Sequence, residues 1–194
     1  MNKNAEYKAI LFDFFDVIHA DGFKRWLASR EIPREGAMEQ ASVAMDSGKI
    51  TEFEFENRIA EIAGISREQL MIELDSYRIL NQEILPLMGK LGENYQIGLL
   101  SNASSTFLRR LLREHELEPY FHHIVISSEV GMIKPSPEIF EHILTKMKVG
   151  PKEAIFIDDN DKNVEAAEKL GITGIVFTDT KQLRRDLDAL GIII

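Results

Sequence analysis

Asp13, Ser101, Lys134 and the pair Asp158-Asp159 are residue types that handle phosphate. A carboxylate can attack phosphorus and form an aspartyl phosphate that water then hydrolyses. Three carboxylates gathered in one place repel one another unless a hard cation sits among them, and Mg²⁺ takes oxygen ligands. A lysine offsets the charge of nucleophile and phosphate, while a serine hydroxyl and backbone N–H groups donate to phosphoryl oxygens. Singly, each residue has a plainer explanation. Asp13 can cap a strand-end turn, Ser101 is a common turn residue, Lys134 an ordinary solvated lysine, and Asp158 or Asp159 a cap for the helix that follows. Their positions make the case, because they follow successive apolar runs.

Those runs are Lys8–Phe12, Gln96–Leu100, His123–Ser127, Ala154–Ile157 and Ile172–Phe177, each short and rich in Ile, Val, Leu or Phe. Strands covered on both faces read this way. Helical patterns alternate with the later strands. Ser104 or Ser105 caps one reaching about His115, and Pro137 starts one reaching Met147. Asn163–Leu170 stops at Gly171 and Lys181–Leu190 at Gly191, both good residues just past a helix end. The expectation is an open parallel α/β sheet with right-handed crossovers. Ligands bind such sheets beyond the carboxyl ends of the strands, where strand order reverses. Asp13, Ser101-Asn102 and Asp158-Asp159 sit at strand ends, with Lys134 in the loop after the third strand.

Residues 20 to 85 differ. No strand-like run appears, but Phe23–Arg30, Ala37–Met45, Glu52–Ile62 and Arg67–Leu80 are amphipathic helical stretches, with breaks at Ile32-Pro33, Ser47-Gly48, Gly64 and Leu85-Pro86. Thr51 and Glu54 are spaced for a capping box. This predicts a small all-helical cap over 19–85, inserted after the first strand of a core made of 1–18 and 86–194. Trp26, Phe53 and Phe55 are expected in the cap's own core.

Composition narrows the partners. The formal net charge is −9, with no long Lys/Arg cluster, which argues against nucleic acid; Arg109, Arg110 and Arg113 read as a solvated helix face. Cysteine is absent, which removes disulfides, thiolate nucleophiles and Cys-based zinc sites and suits the cytoplasm. No run approaches a membrane span, and the polar start Met-Asn-Lys-Asn-Ala-Glu-Tyr-Lys has no apolar signal core.

The motifs resemble those of the haloacid dehalogenase (HAD) superfamily. "ILFDFFDVI" resembles its first motif, "IGLLSNAS" its second, "SSEVGMIKPSPEIF" its third and "IFIDDNDKNVEAAEKLGI" its fourth. The helical insertion sits where the family's type-1 cap does. "GKITEFEFENRIA" is similar to cap sequence of the subgroup holding sugar-phosphate phosphatases and epoxide-hydrolase phosphatase domains. The resemblance implies a Rossmann-like core and a Mg²⁺-dependent phosphatase of a small phosphorylated metabolite. Asp13 would be the nucleophile, with Ser101 and Lys134 at the phosphate. Mg²⁺ would be held by Asp13, the backbone carbonyl of Phe15 and Asp159, with Asp158 acting through water or by orienting Lys134. Asn102 holds either the phosphate or its own loop. A receiver domain also gathers aspartates and a lysine beside Mg²⁺, but its acidic pair comes early and its lysine last, the reverse of the order here.

One position departs from the family. Its phosphatases usually carry a second Asp, the general acid and base, two residues after the nucleophile; here that residue is Phe15. Asp16 lies one further on and should point elsewhere. An aromatic there is similar to the dehalogenase branch, which nevertheless lacks the acidic pair kept here as Asp158-Asp159. The alternatives are therefore a dehalogenase-like hydrolase and a catalytically weak relative serving as a regulatory or binding protein. Phe15 has no proton to give, and His19 is the first substitute to consider, although His19 and Asp21 read more simply as a hinge. Asn163 stands where many relatives place an Asp and reads as loop-fixing.

Overall fold

The structure, a computed structural model, describes residues 7–193. The polar stretch before Tyr7, and the reading of it as lacking a signal core, lie outside them. Four helices follow the first strand: α1 (Gly22–Ser29), α2 (Ala37–Asp46), α3 (Glu52–Ala63) and α4 (Arg67–Asp75). Local chemistry starts three of them where polar side chains can satisfy free N–H groups. Asp21, Thr51 and Ser66 accept from the backbone N–H of Lys24, Glu54 and Gln69, and Thr51 with Glu54 completes a capping box. Gly64 closes α3 at φ 67, a conformation other residues enter at a cost. The block has its own apolar cluster, in which Trp26, Met38, Phe55, Ile59 and Leu70 are buried. Glu73 ties it together, accepting from Trp26 Nε1 at 2.7 Å and from Arg30 Nε at 2.8 Å and Nη2 at 2.5 Å.

Phe53 departs from expectation: it is 60% exposed, outside that cluster, with the Arg67 guanidinium 4.8 Å above its ring. The fourth helix is also shorter than its pattern suggests. It stops at Asp75 because the following residues are drawn into pairing with the chain leaving the first strand, where Ala20 N–H donates to the Ile79 carbonyl at 2.8 Å and His19 bridges Leu80. The expected break at Leu85-Pro86 is instead the start of α5 (Leu85–Leu91), with Pro86 in the first turn, where its missing N–H costs nothing.

The sheet is built from β1 (Ala9–Phe12), β2 (Gln96–Ser101), β3 (His123–Ile126), β4 (Ala154–Asp158) and β5 (Thr173–Val176), all parallel, in the order β3-β2-β1-β4-β5. Every strand lies within one residue of its expected ends. Between and after them come α6 (Ser105–Glu114), α7 (Ser127–Val130), α8 (Pro137–Met147), α9 (Asp161–Lys169) and α10 (Thr180–Ala189). The one-turn α7 begins at Ser127, which the sequence had placed in a strand. Side chains of β1 alternate between two cores. Ile10 and Phe12 pack with Leu87, Leu108, Leu111 and Leu183, and Ala9 and Leu11 with Ile139, Phe140, Ile143 and Ala167. Burial on both faces explains why the strands read as unbroken apolar runs. No helix among the described residues is long and apolar enough to cross a membrane.

The helical block meets the carboxyl end of this sheet through mostly polar contacts. Arg110 pairs with Glu52 at 2.8 Å, the Ser127 hydroxyl donates to the Asp46 carbonyl, and a Cβ at Gly48 would lie 2.8 Å from the Ser128 carbonyl oxygen. Arg110, expected to be a solvated cation, is thus committed to this seam, and Arg109 pairs with Glu129 at 2.6 Å.

Gly98 sets how closely β2 approaches α8. A Cβ there would lie 2.7 Å from Leu11 Cδ2, 2.9 Å from Met147 Sδ and 3.2 Å from Ile143 Cδ1. Gly98→Ala should overpack this core and cost about 1–3 kcal/mol, read as a thermal midpoint several degrees lower with far-UV circular dichroism unchanged. An unaltered midpoint would show that the core yields freely at this point.

Candidate active site

Asp13 follows β1 directly, and its N–H still donates to the Ile157 carbonyl at 2.8 Å, so the ladder carries it to the sheet's carboxyl edge. Asp158 closes β4, the neighbour of β1. Strand order reverses about β1, with β2 and β3 to one side and β4 and β5 to the other. The two carboxylates thus stand at the crevice that parallel sheets offer to ligands.

Lys134 lies between them. Its Nζ is 2.8 Å from Asp13 Oδ1 and donates to Asp158 Oδ2 at 2.6 Å, with the Lys134 side chain 1% exposed. Burial alone would lower its pKa; the charges of Asp13 and Asp158 outweigh that and hold the ammonium above its ordinary value. Burial pushes the Asp13 carboxyl up, opposed by the Lys134 charge and reinforced by the charge of Asp158.

Asn102 holds the lysine's backbone from both sides, accepting from Lys134 N–H at 2.8 Å and donating to its carbonyl at 2.9 Å. Both bonds fix the lysine's loop and leave one N–H of the Asn102 amide unused. Asp158 has several donors: besides Lys134 it accepts from Asn160 N–H at 2.8 Å and from Asn163 Nδ2 at 3.1 and 3.0 Å. Asn163 therefore fixes a carboxylate from α9 rather than a loop. The cap of α9 is Asn160, not either aspartate of the pair.

Carboxylate oxygens of Asp13, Asp158 and Asp159 lie within 4.8 Å of one another, a donor set that suits a hard, oxygen-seeking cation. Burial raises the Asp159 carboxyl, with Lys24 opposing. Ser101 Oγ, at the end of β2, is buried with no hydrogen-bond partner among the described residues. Leaving a buried hydroxyl unbonded costs about 1–3 kcal/mol, and a phosphoryl oxygen would relieve it.

Lys24 was not foreseen. From α1 it donates to Asp16 Oδ2 at 2.7 Å and Asp159 Oδ2 at 3.1 Å. Asp16, at φ 54, thus shares Lys24 with Asp159, and its Oδ1 accepts from Asp21 N–H at 3.0 Å. Phe15 lays its ring against Phe107, centroids 6.1 Å apart and planes 7° apart. His19 lies among aromatic rings. It stacks on Phe14 at 5.7 Å, faces His115 at 5.6 Å, and bonds its own neighbour's carbonyl, Ala20 O, through Nδ1 at 2.9 Å. Burial lowers its pKa, and its Nε2, buried beside the cavity, has no hydrogen-bond partner among the described residues.

A family model for haloacid dehalogenase-like hydrolases matches residues 7–171. The chain belongs to this family. Among curated HAD relatives, the bifunctional epoxide hydrolase 2 of Rattus norvegicus is 37% identical over 73 residues, 38% of this chain and 13% of that protein. The D-ribitol-5-phosphate phosphatase of Bacteroides thetaiotaomicron is 27% identical over 139 residues, 66% of each chain. Both matches span less than two thirds of the relative's own length. Among solved structures, a HAD family enzyme from Bacteroides thetaiotaomicron, in complex with magnesium and inorganic phosphate, superposes with a TM-score of 0.72 at 27% identity. That match covers 91% of this chain and 98% of the other.

The buried triad gives two variants opposite signs. Lys134→Ala leaves two carboxylates buried without their shared cation and should cost about 3–5 kcal/mol. Asp13→Asn removes one of the two competing charges and should leave the thermal midpoint equal or higher. Equal losses in both melting curves would mean that Lys134 is not the ion holding the site together.

Proposed function

We propose that this HAD hydrolase is a Mg²⁺-dependent phosphatase, cleaving the monoester of a small phosphorylated metabolite through an aspartyl phosphate on Asp13. The observation that carries this reading is the ammonium of Lys134 held between Asp13 and Asp158, with Asp159 completing a compact carboxylate cluster. In the first step Asp13 forms an oxygen–phosphorus bond as the ester oxygen departs; in the second, water displaces Asp13 and frees inorganic phosphate. Lys134 and Ser101 are assigned to the phosphoryl oxygens, and Asn102 fixes the Lys134 backbone beside them. Asp13, Asp159 and the Phe15 carbonyl would hold Mg²⁺, with Asp158 orienting Lys134 and reaching the ion through water. When bound, the ion neutralises charge shared by carboxylates and phosphate.

The magnesium and phosphate held by the similar Bacteroides enzyme, and the phosphatase activity named for the curated relative, support this assignment. A cysteine-free chain suits work in the cytoplasm. Phe15, with no acid of its own, favours a second reading as a catalytically weak binding protein.

A phosphometabolite panel with Mg²⁺, run beside a haloacid panel in chelator, separates these. Phosphate release should cease on chelation, return with Mg²⁺, and be lost in Asp13→Asn, while Asp159→Ala should raise the Mg²⁺ requirement strongly. Halide release in chelator would replace the phosphatase with a dehalogenase. Silence on both panels would favour the binding protein.

A further inference from the structure

A cavity of about 850 Å³, counted with its open mouth, lies between the helical block and the sheet edge beside Asn102. Phe15 and Phe107 line it from the sheet side, and Phe23, Met45, Phe55 and Met71 from the helices. An ester whose phosphorus sits at Asp13 would place its leaving group here.

Nearly every polar side chain on these walls is already spent. Arg34 pairs with Asp21 at 3.5 Å and Glu39 at 3.3 Å, Glu52 with Arg110 at 2.8 Å, Glu56 with Arg67 at 2.6 Å, and Arg78 with Asp75 at 3.2 Å. Two are not spent: His19, whose Nε2 is unbonded but whose pKa burial lowers, and Asp46, the last residue of α2. Asp46 lines the cavity, and its carboxyl makes no hydrogen bond or ion pair among the described residues. Its backbone, by contrast, is fixed: the Asp46 carbonyl accepts from the Ser127 hydroxyl, which also accepts from Ala103 N–H at 2.9 Å, two residues beyond Ser101. The helix end is therefore bound to the loop that follows the phosphate-facing serine.

We propose that Asp46 is the general acid and base of this enzyme, filling from the helical block the role that Phe15 cannot fill from the strand end. The inference rests on the phosphatase reading. As the phosphorus–oxygen bond of the ester breaks, the Asp46 carboxyl gives its proton to the departing oxygen and is left as a carboxylate. That carboxylate then takes a proton from the water that attacks the aspartyl phosphate, so the cycle closes with no further reactant. The surroundings suit the task. Burial pushes the Asp46 carboxyl up to about 7, with Arg34 opposing, Asp21 and Glu39 reinforcing and Lys134 opposing. An acid serves best when its pKa is near the working pH.

The test uses Mg²⁺-loaded wild type, Asp46→Asn and Asp46→Glu with phosphate monoesters of graded leaving-group pKa, and acetyl phosphate, whose leaving oxygen needs no proton. Wild type should show a shallow dependence on leaving-group pKa and a kcat/KM that falls above about pH 7. Asp46→Asn should lose about 10²–10⁴ in rate on alkyl esters, yet no more than about threefold in the transfer of phosphoryl from acetyl phosphate to Asp13, followed as the burst of acetate. Its dependence on leaving-group pKa should steepen, the alkaline fall should vanish, and Asp46→Glu should recover part of both. Equal loss on every substrate, or an unchanged pH profile, would overturn the role of Asp46. Failure of wild type to cleave even acetyl phosphate would instead overturn the phosphatase reading.

Discussion

A lysine with almost no contact with water, held between two carboxylates, is the constraint around which this molecule is arranged. Replacing such a buried pair by apolar residues is often neutral or stabilising, whereas removing one partner is costly. Stability alone therefore gives little reason to keep Lys134 where it is. Once there, it dictates its surroundings. Its backbone must be fixed, which Asn102 does from both sides, and the Asp158 carboxylate must be held toward it, which Asn160 and Asn163 do. The parallel sheet supplies what no short loop could. By pairing β1 with β4 in register through Phe12 and Ile157, it brings residues 13 and 158 to one edge, with the ladder continuing into Asp13 itself.

How much of this is legible in the sequence depends on how local the cause is. Strands buried on both faces announce themselves as apolar runs, and Asp13, Ser101 and Asp158 are readable because each stands within a residue of a run's end. Thr51 and Glu54 lie three apart and their capping box forms as spaced. Legibility fails where the partner is remote. Nothing near Lys24 shows that it will meet Asp159, 135 residues on, and Asn163 looks like loop furniture until α9 turns it toward Asp158. Phe53 fails for a related reason. Its spacing matches a core position, but α3 is covered on one side only, and Phe53 lies on the other.

The join between helices and sheet obeys different physics from either interior. Each side has its own apolar cluster, while the seam is held largely by polar contacts: Glu52 with Arg110, Lys24 with Asp159, and the Ser127 hydroxyl on the Asp46 carbonyl. Partly exposed ion pairs are worth about 0–1 kcal/mol each, so the seam can part at small cost without unfolding either cluster.

An acid carried on the helical block gains from this arrangement. An acid fixed two residues after the nucleophile stays beside the phosphate whether or not a leaving group is in place. Asp46 lies across the seam, and its distance from the reacting oxygen depends on how the block is seated. The same apolar walls that receive the leaving group strip water from Asp46 and keep its proton in place near neutral pH. Phe15 then has a positive role, since an aromatic ring against Phe107 helps to build the dry wall that a second aspartate at that point would wet. A strand end without an acid and the proposed acid on α2 fit one arrangement, in which proton transfer is tied to seating of the block.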